Sequence, residues 1–467
     1  MVFSTLTFIF RFLPIFLILY FIVPHRYKNM VLLLGSLFFY TYGEPKFLLL
    51  FILSICMNYL GAIAQDKARD NQLCKRLFLV IILFYDFGIL FFFKYINFAI
   101  ENVNFILKGI PDTSAITPLS VALPLGISFY TFQMVSYSVD VYRGEIKAEK
   151  SIYQLALYLC MFPQLISGPI VKYAEIKLQL KYRTNTFENL EAGFKLFTLG
   201  MGCKVLLADR IGLLWNNIQT IGFESISTPL AWLGAIGYSL QLYFDFFGYS
   251  LMAIGVGKMM GFSLPDNFTH PYISKSVTEF WRRWHISLGR WFKNYVYIPL
   301  GGNRKGKRRL IINLLIVWMF TGLWHGASWN FVLWGFVLFV LICMEKLFLN
   351  KFLNRSKILS KLYILIIMPL TWMLFAISNL QEIGTYFGRM FSLVPGICVN
   401  SNDFIKYFSM YKWYFIIGIF LCMPFAWNWF KKYDKSIPCT MILLIIFWYA
   451  IYQISNGINN PFMYFKF

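Results

Sequence analysis

Two of the four histidines in this 467-residue chain stand where they could do proton chemistry. His285 closes the run Glu279-Phe280-Trp281-Arg282-Arg283-Trp284-His285, and His325 lies within Trp324-His325-Gly326. Neutral imidazole, with an unperturbed pKa of roughly 6.5, can take a proton from a hydroxyl that attacks a thioester. A lone histidine is more often a core side chain bonded to a neighbouring carbonyl. His325, however, is flanked by Gly322 and Gly326 in a stretch, Leu310 to Leu347, that is almost wholly apolar. An imidazole at membrane depth is costly unless it lines a water-filled cavity, which tips His325 toward function.

The residues between the two histidines say how they are carried. Pro299-Leu300-Gly301-Gly302-Asn303 is a turn cluster, because Pro fixes φ and Gly permits positive φ. Arg304, Lys305, Lys307, Arg308 and Arg309 follow at once, and Lys351, Arg355, Lys357 and Lys361 stand beyond the apolar stretch. Both basic clusters belong on the cytoplasmic side of a membrane. The stretch between them must therefore enter and return, with His325 at or near the reversal. Arg282 and Arg283 fit an interfacial helix anchored by Trp281 and Trp284. With the 304–309 cluster they equally fit a cradle for the phosphates of a nucleotide-bearing acyl carrier. Asp245, inside an apolar run, needs a partner, and Arg282 or Arg283 is the expected one in a structural ion pair. Asp86, Asp140 and Lys94 lie nearer span ends, where snorkelling accounts for them.

The elements that must position these groups are membrane helices. The chain is 58% hydrophobic and 20% aromatic, and its 14% of charged residues lies far below the soluble norm of roughly 25%. The excess of 43 Lys and Arg over 21 Asp and Glu is gathered in a few loops, which suits anionic lipid and a polyanionic cytosolic ligand better than nucleic acid. Eight cysteines without a Cys-x-x-Cys pair read as membrane-buried thiols, neither a disulfide framework nor a metal site. At about 20 apolar residues per span, spans fall near 5–23, 30–42, 47–64, 77–98, 119–142, 193–217, 231–256, 362–380, 412–430 and 437–454. Segment 151–170, apolar but interrupted by Pro163, Gly168 and Pro169 and basic on both flanks, reads as re-entrant. The expectation is one all-α polytopic domain, 1–467, of about ten spans with two re-entrant elements, both termini being extracytoplasmic. No nucleophile elbow, Walker loop or His-Glu-x-x-His appears, so these features alone leave a membrane-embedded transferase and a transporter with an intramembrane histidine both open.

Phe-Trp-Arg-Arg-Trp-His-Ile-Ser (280–287), Tyr-Ile-Pro-Leu-Gly-Gly-Asn-Arg (297–304) and Gly-Leu-Trp-His-Gly-Ala-Ser-Trp (322–329) together resemble the membrane-bound O-acyltransferase (MBOAT) family, in its bacterial alginate and peptidoglycan O-acetylation branch. Pro-Leu-Gly-Ile-Ser-Phe-Tyr-Thr-Phe-Gln (124–133), Gln-Leu-Ile-Ser-Gly-Pro-Ile (164–170) and Leu-Tyr-Phe-Asp-Phe-Phe-Gly-Tyr-Ser (242–250) extend the resemblance over nearly the whole chain. It implies the MBOAT fold around a central tunnel, with an invariant histidine at His325 and His285 as the second signature residue. Acetyl-CoA is implied as the cytosolic donor substrate, with no metal and no permanently bound cofactor. The acetyl group would cross the bacterial cytoplasmic membrane for O-acetylation of an extracytoplasmic polysaccharide, commonly finished by a separate SGNH-type transferase. Phe-Met-Tyr-Phe-Lys-Phe (462–467) resembles an aromatic C-terminal motif in which a tyrosine, here Tyr464, is proposed to carry the acyl group; an aromatic interface belt would need the same residues. The alternatives are D-alanyl or other acyl transfer to a cell-wall polymer, and a flippase of acylated glycan.

Overall fold

Caps written into the sequence start several of the long apolar helices. The side chain of Asn71 accepts from the Cys74 amide at the head of Gln72–Lys94, Ser356 does the same for Lys357–Ala376, and Ser436 for Ile437–Ser455, which has a proline in its first turn. The structure is a computed structural model that describes residues 1–111, 114–165, 168–457 and 463; Tyr464 lies outside the described residues. Among the described residues, all regular structure is helical.

Among the described residues, five helices are long and apolar enough to cross a membrane: Pro45–Lys67, Gln72–Lys94, Trp329–Leu353, Lys357–Ala376 and Ile437–Ser455. Their outer faces carry large apolar side chains with no protein over them, such as Phe84 at 82% exposure, Leu60 at 61% and Ile445 at 67%. A surface of that kind suits lipid.

About ten uninterrupted spans were expected, and the difference has local causes. In the 412–430 stretch Asp403–Leu421 ends at Cys422, and Pro424–Tyr433 leaves at 72°, as a proline on its first turn allows; only if that pair is one bent span does the count reach six. Segment 119–142 becomes helical only at Ile127, after Gly126 takes φ +74°. Segment 193–217 is broken by a π turn, Gly202–Ala208.

The contacts sort the chain into two compact units. The first comprises 1–2, 7–190 and 257–265. In it, Leu48–Lys67, Gln72–Lys94 and Ile127–Arg143 pack together. They bury a polar relay in which Ser138 Oγ donates to Asn58 Oδ1 (2.9 Å) and Asn58 Nδ2 to Asp86 Oδ1 (2.8 Å). Asp86, 3% exposed, therefore does not snorkel; a neighbouring helix meets it. Within the 151–170 segment, Ile152–Cys160 and Phe162–Leu165 are parted at Met161, and residues 157–165 and 168–170 are buried.

The second unit comprises 3–6, 191–256 and 266–467. It holds the 32-residue helix Thr228–Met259 and a hairpin of Gly306–His325 against Trp329–Met344. A Cβ on Gly322 would lie 2.4 Å from the Phe331 carbonyl oxygen, and one on Gly335 2.5 Å from that of Trp318. Only glycine lets the two backbones come this close. His325 is the last residue before the reversal. Of the cysteines, Cys160, Cys203, Cys343, Cys422 and Cys439 are buried, Cys56 and Cys74 half-buried, and Cys398 is exposed on the 391–402 loop.

Candidate active site

The second unit contains both signature histidines. His325, 4% exposed, is enclosed by aromatic rings: Trp324 at 4.9 Å between centroids, Trp334 at 5.1 Å and edge-on, and Phe375 at 5.3 Å. His285, 2% exposed, stands edge-on to Phe246 at 4.7 Å and lies 5.9 Å from Trp324. Trp324 is thus the shared neighbour of the two imidazoles. Trp281, Trp284, Trp318 and Trp372 continue the aromatic cluster behind them.

His285 sits at a sharp turn between Val277–Arg283 and Ile286–Phe292, at φ 45° and ψ 55°. Asn267 holds that turn. Its backbone carbonyl accepts from the Ile286 amide (3.0 Å), and its Oδ1 lies 3.1 Å from His285 Nδ1. Burial pushes the His285 imidazole down to about 3, so it is neutral throughout the physiological range.

Beyond Asn267 a cavity of about 220 Å³ opens, lined by Tyr243, Phe247, Phe268 and Trp427, with Asp266, His270 and Lys431 among its polar lining. Burial, together with the charges of Arg283 and Lys431, holds His270 below its ordinary range. The lining is largely apolar and aromatic, with one acidic side chain, Asp266, and one lysine, Lys431, a composition that suits a mostly apolar arm.

The basic residues divide. Arg282 is exposed, while Arg283 is turned to Glu279, with Nη2 2.9 Å from Oε1, and donates from Nη1 to the Thr269 carbonyl (3.1 Å). Arg304, Lys305, Lys307, Arg308 and Arg309 are all exposed at the head of Gly306–His325. Twenty residues at a rise of about 1.5 Å put the two ends of that helix roughly 30 Å apart, so this cluster does not share a pocket with His325.

Asp245 corrects the expected pairing. Its partner is Lys204, whose Nζ is 2.8 Å from Asp245 Oδ1 and 2.5 Å from Asp209 Oδ1, all three side chains being at most 2% exposed. Arg283 instead takes Glu279. The Met463 amide donates to Asp245 Oδ2 (2.9 Å), which brings the residue before Tyr464 against this ion cluster. Sequence reasoning missed Lys204 and Asp209, although a cation and a carboxylate five residues apart inside an expected span were a signal that could have found them. Asn267 carried no such signal. Among the described residues, no group of His, Cys, Asp and Glu could hold a metal ion.

Residues 37–388 match the family model of the membrane-bound O-acyltransferases, a match that includes both histidines. The chain belongs to the membrane-bound O-acyltransferase family. This MBOAT chain is 34% identical to a protein of Pseudomonas putida described as a probable alginate O-acetylase, over 100% of both chains. It is 36% identical to a Helicobacter pylori peptidoglycan O-acetyltransferase, over 82% of this chain and 78% of that one. With the teichoic acid D-alanyltransferase of Bacillus subtilis it shares 31% identity over 48% of this chain and 59% of that one. Family and helices together make it a multi-pass membrane acyltransferase, which sets the flippase reading aside.

Proposed function

We propose that this MBOAT protein takes an acetyl group from cytosolic acetyl-CoA and passes it across the bacterial cytoplasmic membrane for O-acetylation of an extracytoplasmic polysaccharide, of the alginate or peptidoglycan kind. The observation that carries the reading is the placement of His285 and His325 against one indole, Trp324, in a buried aromatic site. The relatives named for O-acetylation supply the acyl group and the acceptor class.

In this mechanism the thioester reaches the two imidazoles. His325 takes the proton of the attacking hydroxyl as its oxygen bonds to the acetyl carbonyl carbon; the C–S bond breaks and the CoA thiolate leaves with a proton. His285 is the second polar group beside the reacting carbonyl. The hydroxyl belongs either to Tyr464, as a covalent carrier, or to a partner's acceptor group. A covalent carrier would divide one hard transfer into two easier ones. An extracytoplasmic SGNH-type transferase is the partner expected to place the acetyl group on the glycan. The basic face of Arg282, Arg283, Arg304, Lys305, Lys307, Arg308 and Arg309 faces the cytosol and draws in the CoA phosphates, leaving both termini outside.

The test is acetyl-labelled CoA given to the protein in liposomes, with His325→Ala and Tyr464→Phe alongside. Thioester consumption with label on Tyr464, lost in both variants, supports the transferase and the carrier. Release of CoA without labelled protein keeps the transferase and removes the carrier. No cleavage even with a periplasmic partner added overturns the reading. Cleavage only of a D-alanyl thioester on a carrier protein would favour the chemistry of the D-alanyltransferase relative instead.

A further inference from the structure

Resting on that acyl-transfer reading, we infer that Asn267 is a positioning residue that fixes His285 as its Nδ1–H tautomer, so that Nε2 offers its lone pair as a hydrogen-bond acceptor in the site that His325 serves as base. The amide oxygen of Asn267 receives three contacts: from the Ser287 amide (3.2 Å), from the Ser287 hydroxyl (2.9 Å) and from His285 Nδ1 (3.1 Å). A backbone N–H can only donate, so the Ser287 amide decides which end of the Asn267 side chain is oxygen. An amide oxygen carries no proton, so the imidazole contact requires hydrogen on Nδ1. In a neutral ring the proton is then absent from Nε2.

The turn that presents the ring is itself held by Asn267. A left-handed histidine is strained, and persists where its surroundings fix it. Here the Ile286 amide bonds to the Asn267 carbonyl and Phe246 closes edge-on against the ring. A neutral Nδ1–H imidazole cannot donate from Nε2, so it cannot polarise a carbonyl. What it can do, with His325 taking the hydroxyl proton, is accept a hydrogen bond at Nε2 from that hydroxyl or from the departing thiol while Nδ1–H stays on Asn267. Other titratable groups nearby are His325 across Trp324, Asp266 and His270 on the Asn267 loop at the cavity, and Arg283, which is turned to Glu279.

The experiment combines ¹⁵N-histidine solid-state NMR of the full-length protein in liposomes with CoA-release kinetics from acetyl-CoA. A His285→Asn sample assigns the His285 ring signals. In the wild type, His285 should show a protonated Nδ1 and a bare Nε2; a protonated Nε2 overturns the proposal whatever the kinetics. Asn267→Ala should lower kcat by at least about tenfold with KM changed less than about twofold, and mix the two tautomers. Asn267→Asp keeps the acceptor but adds a negative charge that favours the imidazolium. It should recover activity at alkaline pH, with the acid limb of kcat/KM moved upward. Loss of activity in both variants at every pH, or full activity in Asn267→Ala, overturns the positioning role. Should Asn267→Ala fail to fold, the wild-type tautomer and Asn267→Asp decide. A wild type that releases no CoA even with a periplasmic partner added refutes the acetyl-CoA reading itself, and the tautomer remains readable without it.

Discussion

Lys204 Nζ lies 2.8 Å from Asp245 Oδ1, joining a π turn to the long helix Thr228–Met259 through a pair that is almost wholly buried. Asp209 also meets Lys204, so removing Lys204 leaves two buried carboxylates without their shared cation, whereas removing Asp245 leaves the Lys204–Asp209 pair. Lys204→Met alone should cost about 3–5 kcal/mol, whereas removing all three charges together should cost much less. Thermal unfolding in detergent checks this, and a milder single than triple variant would contradict it.

His325→Ala should lower CoA release by about 10²–10⁴-fold, the range of a lost general base, with the protein still inserted and its unfolding temperature little changed. The aromatic enclosure by Trp324, Trp334 and Phe375 survives that truncation. Activity within twofold of wild type would remove His325 from the mechanism.

Gly322→Val and Gly335→Val should each destabilise the protein by about 1–3 kcal/mol or more, because the added carbons meet backbone oxygens that cannot turn aside. They should also lower acyl transfer, since prising Gly306–His325 from Trp329–Met344 moves His325 at the reversal. Unfolding temperature and CoA release measured on the same samples give both effects.

Replacing Arg304, Lys305, Lys307, Arg308 and Arg309 by Gln should raise KM for acetyl-CoA at low salt and leave kcat unchanged, the difference fading at high salt. These side chains are exposed and a helix length from His325, so they act through a field that salt screens. A fall in kcat would place them at the chemistry instead.

His285 should add no ionisation to the pH profile above about pH 3, and it should make the fold acid-sensitive. Its folded pKa, lowered by burial to about 3, lies below the ordinary 6.5. Between those values the unfolded chain binds a proton that the folded one does not, so stability falls as pH drops through that window, by up to about 1.4 kcal/mol per unit. Unfolding followed from pH 7 to pH 4 should show a shallower loss in His285→Asn than in the wild type.

What the amino-acid sequence determined by itself is local and compositional. Its apolar runs impose helices on a lipid-facing chain. Pro163, Gly168 and Pro169 break the 151–170 segment. Gly322 and Gly326 set His325 at the turn of a returning hairpin, because each of these effects acts within a few residues of its cause. Only the tertiary structure decided which distant groups meet. Asp245 takes Lys204 and not Arg282 or Arg283, because the π turn at Gly202–Ala208 brings Lys204 and Asp209 to it while Glu279, one helical turn away, claims Arg283. Asn267 reaches His285 across a loop that no periodicity marks, and Trp324 joins the two imidazoles only once Ile286–Phe292 and Gly306–His325 are packed. A side chain buried in low dielectric must find a partner, and the sequence states that need without naming who meets it.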